Sequence, residues 1–105
     1  MNSINDAKEF YELTEQSKPI LLDFYADWCG PCQTLMPTIE KISKEYQNDI
    51  IVRKVNVDLN KELAAKFGVK SIPSLFFLKG KEIIDKTVGL VSTNTITEKI
   101  NQIIS

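Results

Sequence analysis

The chain has 105 residues, enough for one hydrophobic core and too few for two. Hydrophobic residues at 43% and charged residues at 26% are ordinary globular usage, and the formal net charge of −1 supplies no global field to attract nucleic acid or an anionic membrane surface. No apolar run approaches the roughly 18 residues of a membrane span. The opening Met1-Asn2-Ser3-Ile4-Asn5-Asp6 lacks the basic and apolar regions of a signal peptide. With two closely spaced cysteines, this suits a cytoplasmic protein whose disulfide is transient. We expect one domain over residues 1–105.

Asp6 reads as a helix N-cap with Glu9 three residues on, and Phe10, Leu13 and Thr14 mark a modest inward face. Ser17-Lys18-Pro19 stops that helix. Ile20-Leu21-Leu22-Asp23-Phe24-Tyr25-Ala26 is a nearly continuous apolar run, the pattern of a central strand covered on both faces. Asp23 interrupts it. From Pro31 to about Tyr46 the apolar residues Cys32, Leu35, Met36, Ile39, Ile42 and Tyr46 fall at helical spacing, and Pro37 inside that span predicts a kink without a break.

Ile50 to Val57 is a β-branched strand, and Asn60 is placed to cap a short helix through Leu63, Ala64 and Phe67 that Gly68 closes. Ser74-Leu75-Phe76-Phe77-Leu78 and Glu82 to Val88 are strands joined by Lys79-Gly80-Lys81, short enough for a hairpin turn. Gly89 ends the second. Ser92 caps a last helix with Ile96, Ile100, Ile103 and Ile104 on one face. A parallel βαβ half followed by an antiparallel hairpin half implies an α/β fold with a mixed central sheet and helices on both faces.

Both cysteines lie in Trp28-Cys29-Gly30-Pro31-Cys32, after an apolar strand and at the start of a helix. A disulfide needs Cα atoms roughly 4.4–6.8 Å apart, about one helical turn, so the pair switches between dithiol and disulfide with little backbone movement. Cys29 falls at the helix N-terminus, where unpaired N–H groups and the macrodipole favour a thiolate, the form that attacks disulfides. Cys32 falls one turn inside, facing the core, where desolvation disfavours its ionised form. An exposed nucleophile with a shielded partner makes a two-step exchange: Cys29 forms a mixed disulfide with a substrate, and Cys32 then attacks Cys29 to release it. Pro31 fits the first helical turn, which has no use for its missing N–H.

Blander readings compete. A tetrahedral zinc site needs about four ligands, and the chain has no His and no third Cys. A purely structural bridge across so short a loop removes little unfolded-state entropy. Two inert buried thiols remain as a third reading, and the motif's surroundings decide among them.

Those surroundings resemble the thioredoxin family over essentially the whole chain. Besides the cysteine motif, the sequence carries Asp23-Phe24, Lys54-Val55-Asn56-Val57-Asp58, Ile72-Pro73-Ser74 and Val88-Gly89 at the family's spacing. The resemblance implies a thioredoxin fold whose sheet includes a short first strand, and a cis peptide at Ile72-Pro73 beside the disulfide. It implies that Trp28, Ile72, Pro73 and Gly89 form an apolar platform around Cys29 for substrate binding, with backbone contacts to an extended substrate. Gly30 and Pro31 between the cysteines, where glutaredoxin-like proteins carry Pro-Tyr and protein disulfide isomerases Gly-His, imply tuning toward a reductant.

Asp23 is the second catalytic candidate. Burial raises the pKa of a carboxyl group and brings it toward working pH. The resemblance makes Asp23 the proton acceptor for Cys32, with Lys54 on the neighbouring strand as its charge partner; a carboxyl merely held by Lys54 is the alternative. The activity implied is protein-disulfide reduction by a monomer acting on varied disulfide-containing proteins. Its redox group is the Cys29–Cys32 disulfide, with no metal and no other cofactor. No Gly-rich dinucleotide motif is present, so a separate thioredoxin reductase would supply electrons. The rivals are a net oxidant or isomerase, and a scaffold that needs no redox turnover. The sequence departs from the family at Tyr25, where many bacterial members have Trp, at Lys79-Gly80-Lys81, which leaves the turn type open, and at Asp27, an added acidic group.

Overall fold

A computed structural model describes residues 1–105 and shows a sheet of five strands with the order β1-β3-β2-β4-β5. The elements in chain order are β1 (Asn2–Ser3), α1 (Ala7–Thr14), β2 (Ile20–Tyr25), α2 (Gly30–Glu45), β3 (Ile51–Asn56), α3 (Lys61–Lys66), β4 (Ser74–Lys79), β5 (Glu82–Val88) and α4 (Thr93–Ile104). β1 and β2 run parallel to β3 on either side of it, while β4 is antiparallel to β2 and β5 to β4. The mixed sheet of the thioredoxin fold is thus present, with its parallel half, its hairpin half and a short first strand.

The central strand explains why the sheet has two dry faces. Leu21 joins Leu35, Ile39 and Ile42 of α2 and Ile96, Ile100 and Ile103 of α4 in one core. Its neighbours Ile20, Leu22 and Phe24 join Phe10 of α1 and Leu63 of α3 in the other. Period-2 alternation sends successive side chains to opposite faces, so a strand covered on both sides must be apolar throughout. Asp23 therefore shares the α2/α4 face with Leu21. Within the second core the rings of Phe10, Phe24, Phe67 and Phe76 meet edge to face or tilted, with centroids 5.0–5.4 Å apart.

The caps follow the sequence with two corrections. Asp6 accepts the Glu9 N–H at 2.9 Å, but Glu9 reaches back to the Asn5 N–H at 2.7 Å, one residue before the cap. Asn60 makes no side-chain cap, since its amide donates to the Asn56 carbonyl at 3.0 Å. Asn56 takes over the turn: its side-chain oxygen accepts from the Asp58 N–H at 2.9 Å and the Leu59 N–H at 3.3 Å. Gly68, at φ +66°, ends α3 as expected, and Ser92 caps α4 by accepting the Thr95 N–H at 3.1 Å.

Helix α2 runs unbroken through Pro37. At the far end of α4, Ile104 is exposed, off the stripe that Ile96, Ile100 and Ile103 bury. In the hairpin, Lys79 pairs with Glu82, and only Gly80 of the two loop residues has positive φ, at +57°. That is the sign pattern of a type II′ turn, with glycine first. A bulge between Phe77 and Leu78 then shifts the register of β5.

Candidate functional site

The site forms where β2 ends and α2 begins. Cys29 has extended backbone (φ −88°, ψ 109°) as the N-cap of α2, and Cys32 lies in the first turn. The two are joined by a disulfide with Cα atoms 5.2 Å apart. The Cys29 sulfur accepts the Cys32 N–H at 3.2 Å, taking the place of a capping oxygen. The macrodipole of this helix therefore points its positive end at Cys29. Pro31 stands at the first turn and is exposed. A Cβ at Gly30 would meet nothing within 4 Å, so the space beside Cys29 is open.

Exposure separates the sulfurs less than the sequence suggests. Cys29 is 4% exposed and Cys32 1%, and both pack with Ala26 against Tyr25, Val57 and Ile72. The reason is the loop before β4, which lays the Ile72 carbonyl oxygen 3.8 Å from the Cys29 sulfur. A disulfide sulfur carries no proton, so this is a contact and not a hydrogen bond. What distinguishes the two cysteines here is position at the helix end.

Of the residues expected to form the platform, Trp28 adjoins Cys29 in the chain, Ile72 packs against Cys29, and Gly89 is hydrogen-bonded to Pro73. Trp28 is 72% exposed beside Cys29, while Ile72 is half-buried and Pro73 is buried beneath. The Ile72–Pro73 peptide is cis. Gly89, at φ +83°, donates its N–H to the Pro73 carbonyl at 2.8 Å and so ties the end of β5 to this loop. Val88 and Leu90 on either side of Gly89 are exposed. Sequence reading gave no role to Asp58 or Leu59. Asp58 accepts the Trp28 indole N–H at 2.8 Å, and Leu59, 79% exposed, follows it directly. A charged residue and a large apolar one, in a segment too polar to be core, were the signal that was available.

Asp23 is 1% exposed, and neither carboxylate oxygen has a hydrogen-bond partner. Burial pushes its carboxyl up to about 7, against the opposing pull of the Lys54 charge. Asp23 and Lys54 are register partners across β2 and β3. They are nonetheless not an ion pair, because no lysine nitrogen lies within 4.0 Å of Asp23. The Lys54 ammonium sits over the Tyr25 ring instead, 5.6 Å from its centroid. Tyr25, Cys32, Met36 and Lys54 help line a cavity of about 260 Å³ that connects this charge to the inner cysteine.

A sequence model of the thioredoxin family matches residues 2–102. The chain belongs to the thioredoxin family. Its relatives include the thioredoxin of Pyropia yezoensis, 37% identical over 105 residues that cover all of this chain and 98% of that one. The thioredoxin of Rickettsia prowazekii is 38% identical over 102 residues, covering 97% of each. Among solved structures, Malassezia sympodialis thioredoxin superposes with a TM-score of 0.91 at 30% identity, over 99% of this chain and 93% of that one. Fasciola hepatica thioredoxin does so with a TM-score of 0.90 at 32% identity, over 97% and 98%. This thioredoxin-family protein is a thiol–disulfide oxidoreductase working by dithiol–disulfide exchange at Cys29–Cys32. No helix in it is long and apolar enough to cross a membrane.

Proposed function

We propose that the protein is a cytoplasmic protein-disulfide reductase in which Cys29 attacks, Cys32 resolves and Asp23 accepts the resolving proton. The observation that carries the division of labour is the Cys32 N–H donated to the Cys29 sulfur at the N-terminus of α2. The same donors and dipole that hold the sulfur in the disulfide stabilise a Cys29 thiolate in the dithiol. That thiolate attacks one sulfur of a substrate disulfide; the new S–S bond forms as the old one breaks, and the departing thiolate takes a proton from water. Cys32 then passes its proton to Asp23, and the Cys32 thiolate attacks the Cys29 sulfur, expelling the second substrate thiolate. Two electrons have moved to the substrate, and the Cys29–Cys32 disulfide is restored.

An unpartnered carboxyl near 7 suits the proton transfer, because an acceptor works best when its pKa lies close to the pH of operation. Asp23 lies on the sheet face covered by α2, whose buried stripe begins with Cys32. The exposed Trp28, directly before Cys29 in the chain, gives substrates an apolar contact next to the disulfide. A thioredoxin reductase returns the electrons, and the protein acts as a monomer.

Insulin reduction by single-cysteine variants tests the reading. Cys32→Ser should accumulate a mixed disulfide through Cys29, and Cys29→Ser should accumulate none. Equal trapping by both variants would overturn the assignment of roles. Full function in a double Cys29→Ser, Cys32→Ser variant would point to a scaffold.

A further inference from the structure

Lys54 is a long cation in a half-buried place, and something must fix where its charge stands. It follows Val52 by two residues on β3 and so shares the sheet face of Asp23 and Leu21. Tyr25 follows Asp23 by two residues and shares that face as well. The ring of Tyr25 takes the ammonium at 5.6 Å from its centroid, within the range of a cation–π contact. Both residues line the cavity that reaches Cys32. The carboxylate of Asp23, sealed and without a hydrogen bond, is left unpaired although its register partner is a lysine.

We infer that Tyr25 is a positioning residue: its ring holds the Lys54 ammonium at the wall of the cavity serving Cys32, near enough to act on Asp23 through space and too far to pair with it. A paired Asp23 would be locked as a carboxylate and a poor carrier of a proton that must leave again. With Lys54 swung out into bulk water, nothing would offset the burial of the charged form. The tether selects the state between these two. It also gives a physical role to the Tyr25 position, which the exchange chemistry itself does not use.

Other charges do not compete for this task. β4 presents Leu75 as the register partner of Asp23, and α2 presents Cys32 and Met36 on this side. On α4, Glu98 is exposed and Lys99 is paired with Asp85. Arg53 lies on the opposite face, in the pocket with Glu9. Asp27, just past β2, lines the same cavity and is the remaining charge near it.

The inference rests on the reading of Asp23 as proton acceptor for its consequence in turnover, but its test does not. Carboxyl-carbon NMR of the disulfide-bonded protein reads the Asp23 titration midpoint directly. Tyr25→Leu should raise that midpoint by about half a unit as the ammonium moves off into water. Tyr25→Phe, which keeps the ring, should leave it at the wild-type value. In a Lys54→Met background, Tyr25→Leu should add no further shift. A fluorinated phenylalanine at position 25 preserves ring shape while draining its π charge, and it should reproduce the Tyr25→Leu shift if the leucine variant folds poorly. An unchanged midpoint in Tyr25→Leu and the fluorinated protein, or the same shift with Lys54 already removed, overturns the inference. A shift in midpoint with no matching move in the pH dependence of mixed-disulfide resolution sustains the tether and instead removes Asp23 from the proton path.

Discussion

Asp23 and Lys54 face each other across adjacent strands as register partners, yet no ion pair joins them and the carboxyl is held up near 7. The folded protein therefore carries a group whose charged form is a burden. An acid with a folded value above its ordinary 3.8 binds more protons folded than unfolded over the interval between the two. The penalty is small below about pH 4, grows as pH rises toward 7, and is complete above it, where it is on the order of 4 kcal/mol. Asp23→Ala removes that burden and leaves a small void. We expect it to stabilise the disulfide-bonded protein by about 3 kcal/mol at pH 8 and, with only the void then left to count, to destabilise it by up to about 1 kcal/mol at pH 4. Urea unfolding at the two pH values measures this; an equal gain at both would show that burial of the charge is not the cause. The same variant should resolve mixed disulfides more slowly.

The Trp28 indole N–H is held by Asp58 at 2.8 Å on an otherwise exposed side chain. The bond fixes one orientation of a ring that lies beside the reactive sulfur, and a pre-set surface loses less entropy on docking. Asp58→Ala should raise the KM for a protein disulfide about two- to tenfold, the equivalent of one net hydrogen bond, with a smaller change in kcat. Stability should move by no more than about 0.5 kcal/mol, since both groups can turn to water. A lowered kcat at unchanged KM would assign Asp58 to chemistry instead of docking.

How much of this was legible in the sequence varies with the physics that sets it. The period of apolar residues placed the long elements, and the central strand and α2 stand where Ile20–Tyr25 and the stripe from Cys32 to Ile42 put them. Caps were less secure, because Asn60 and Asn56 are both able to close the same turn and only the tertiary path of the chain selects Asn56. The burial of Cys29 depends on the Ile72 loop arriving from more than forty residues away, which no local pattern encodes. Charge pairing was the hardest to read. The family resemblance set Lys54 opposite Asp23, but a flexible side chain chooses among neighbours, and Tyr25 competes successfully for its ammonium. Asp58 went unassigned for a related reason, since its partner is thirty residues away in sequence.

Lys99 and Asp85 do form the pair that Lys54 and Asp23 do not, with nitrogen and oxygen 2.6 Å apart between α4 and β5. The hydrogen bond to Lys99 holds the Asp85 carboxyl below its ordinary range, despite some opposing effect of burial. A depressed carboxyl contributes stability that is present above the ordinary carboxylate range and lost as pH falls through it. Both side chains keep partial contact with solvent, so the contribution is screened. Lys99→Met should cost about 0.5–1 kcal/mol at pH 7 and nothing measurable near pH 2. Thermal unfolding across that range checks it; a cost that persists unchanged in acid would mean that lost packing of the lysine stem, not the charge pair, is responsible.

Cys29 and Cys32 are almost equally buried in the disulfide, so a difference in their reactivity must come from the helix end and not from access. In the reduced protein, donors at the N-terminus of α2 converge on Cys29, whereas Cys32 has only the interior of the first turn around it. Iodoacetamide should therefore alkylate Cys29 at least about tenfold faster than Cys32 at pH 7, the difference that some 1.4 kcal/mol of thiolate stabilisation supplies. Mass spectrometry of peptides after brief labelling resolves the two sites. Raising the pH to 10, where both thiols ionise, should shrink the ratio, because electrostatic preference for one thiolate no longer decides which is present. A ratio that stays constant with pH would assign the difference to steric access, and the role of the α2 terminus would have to be abandoned.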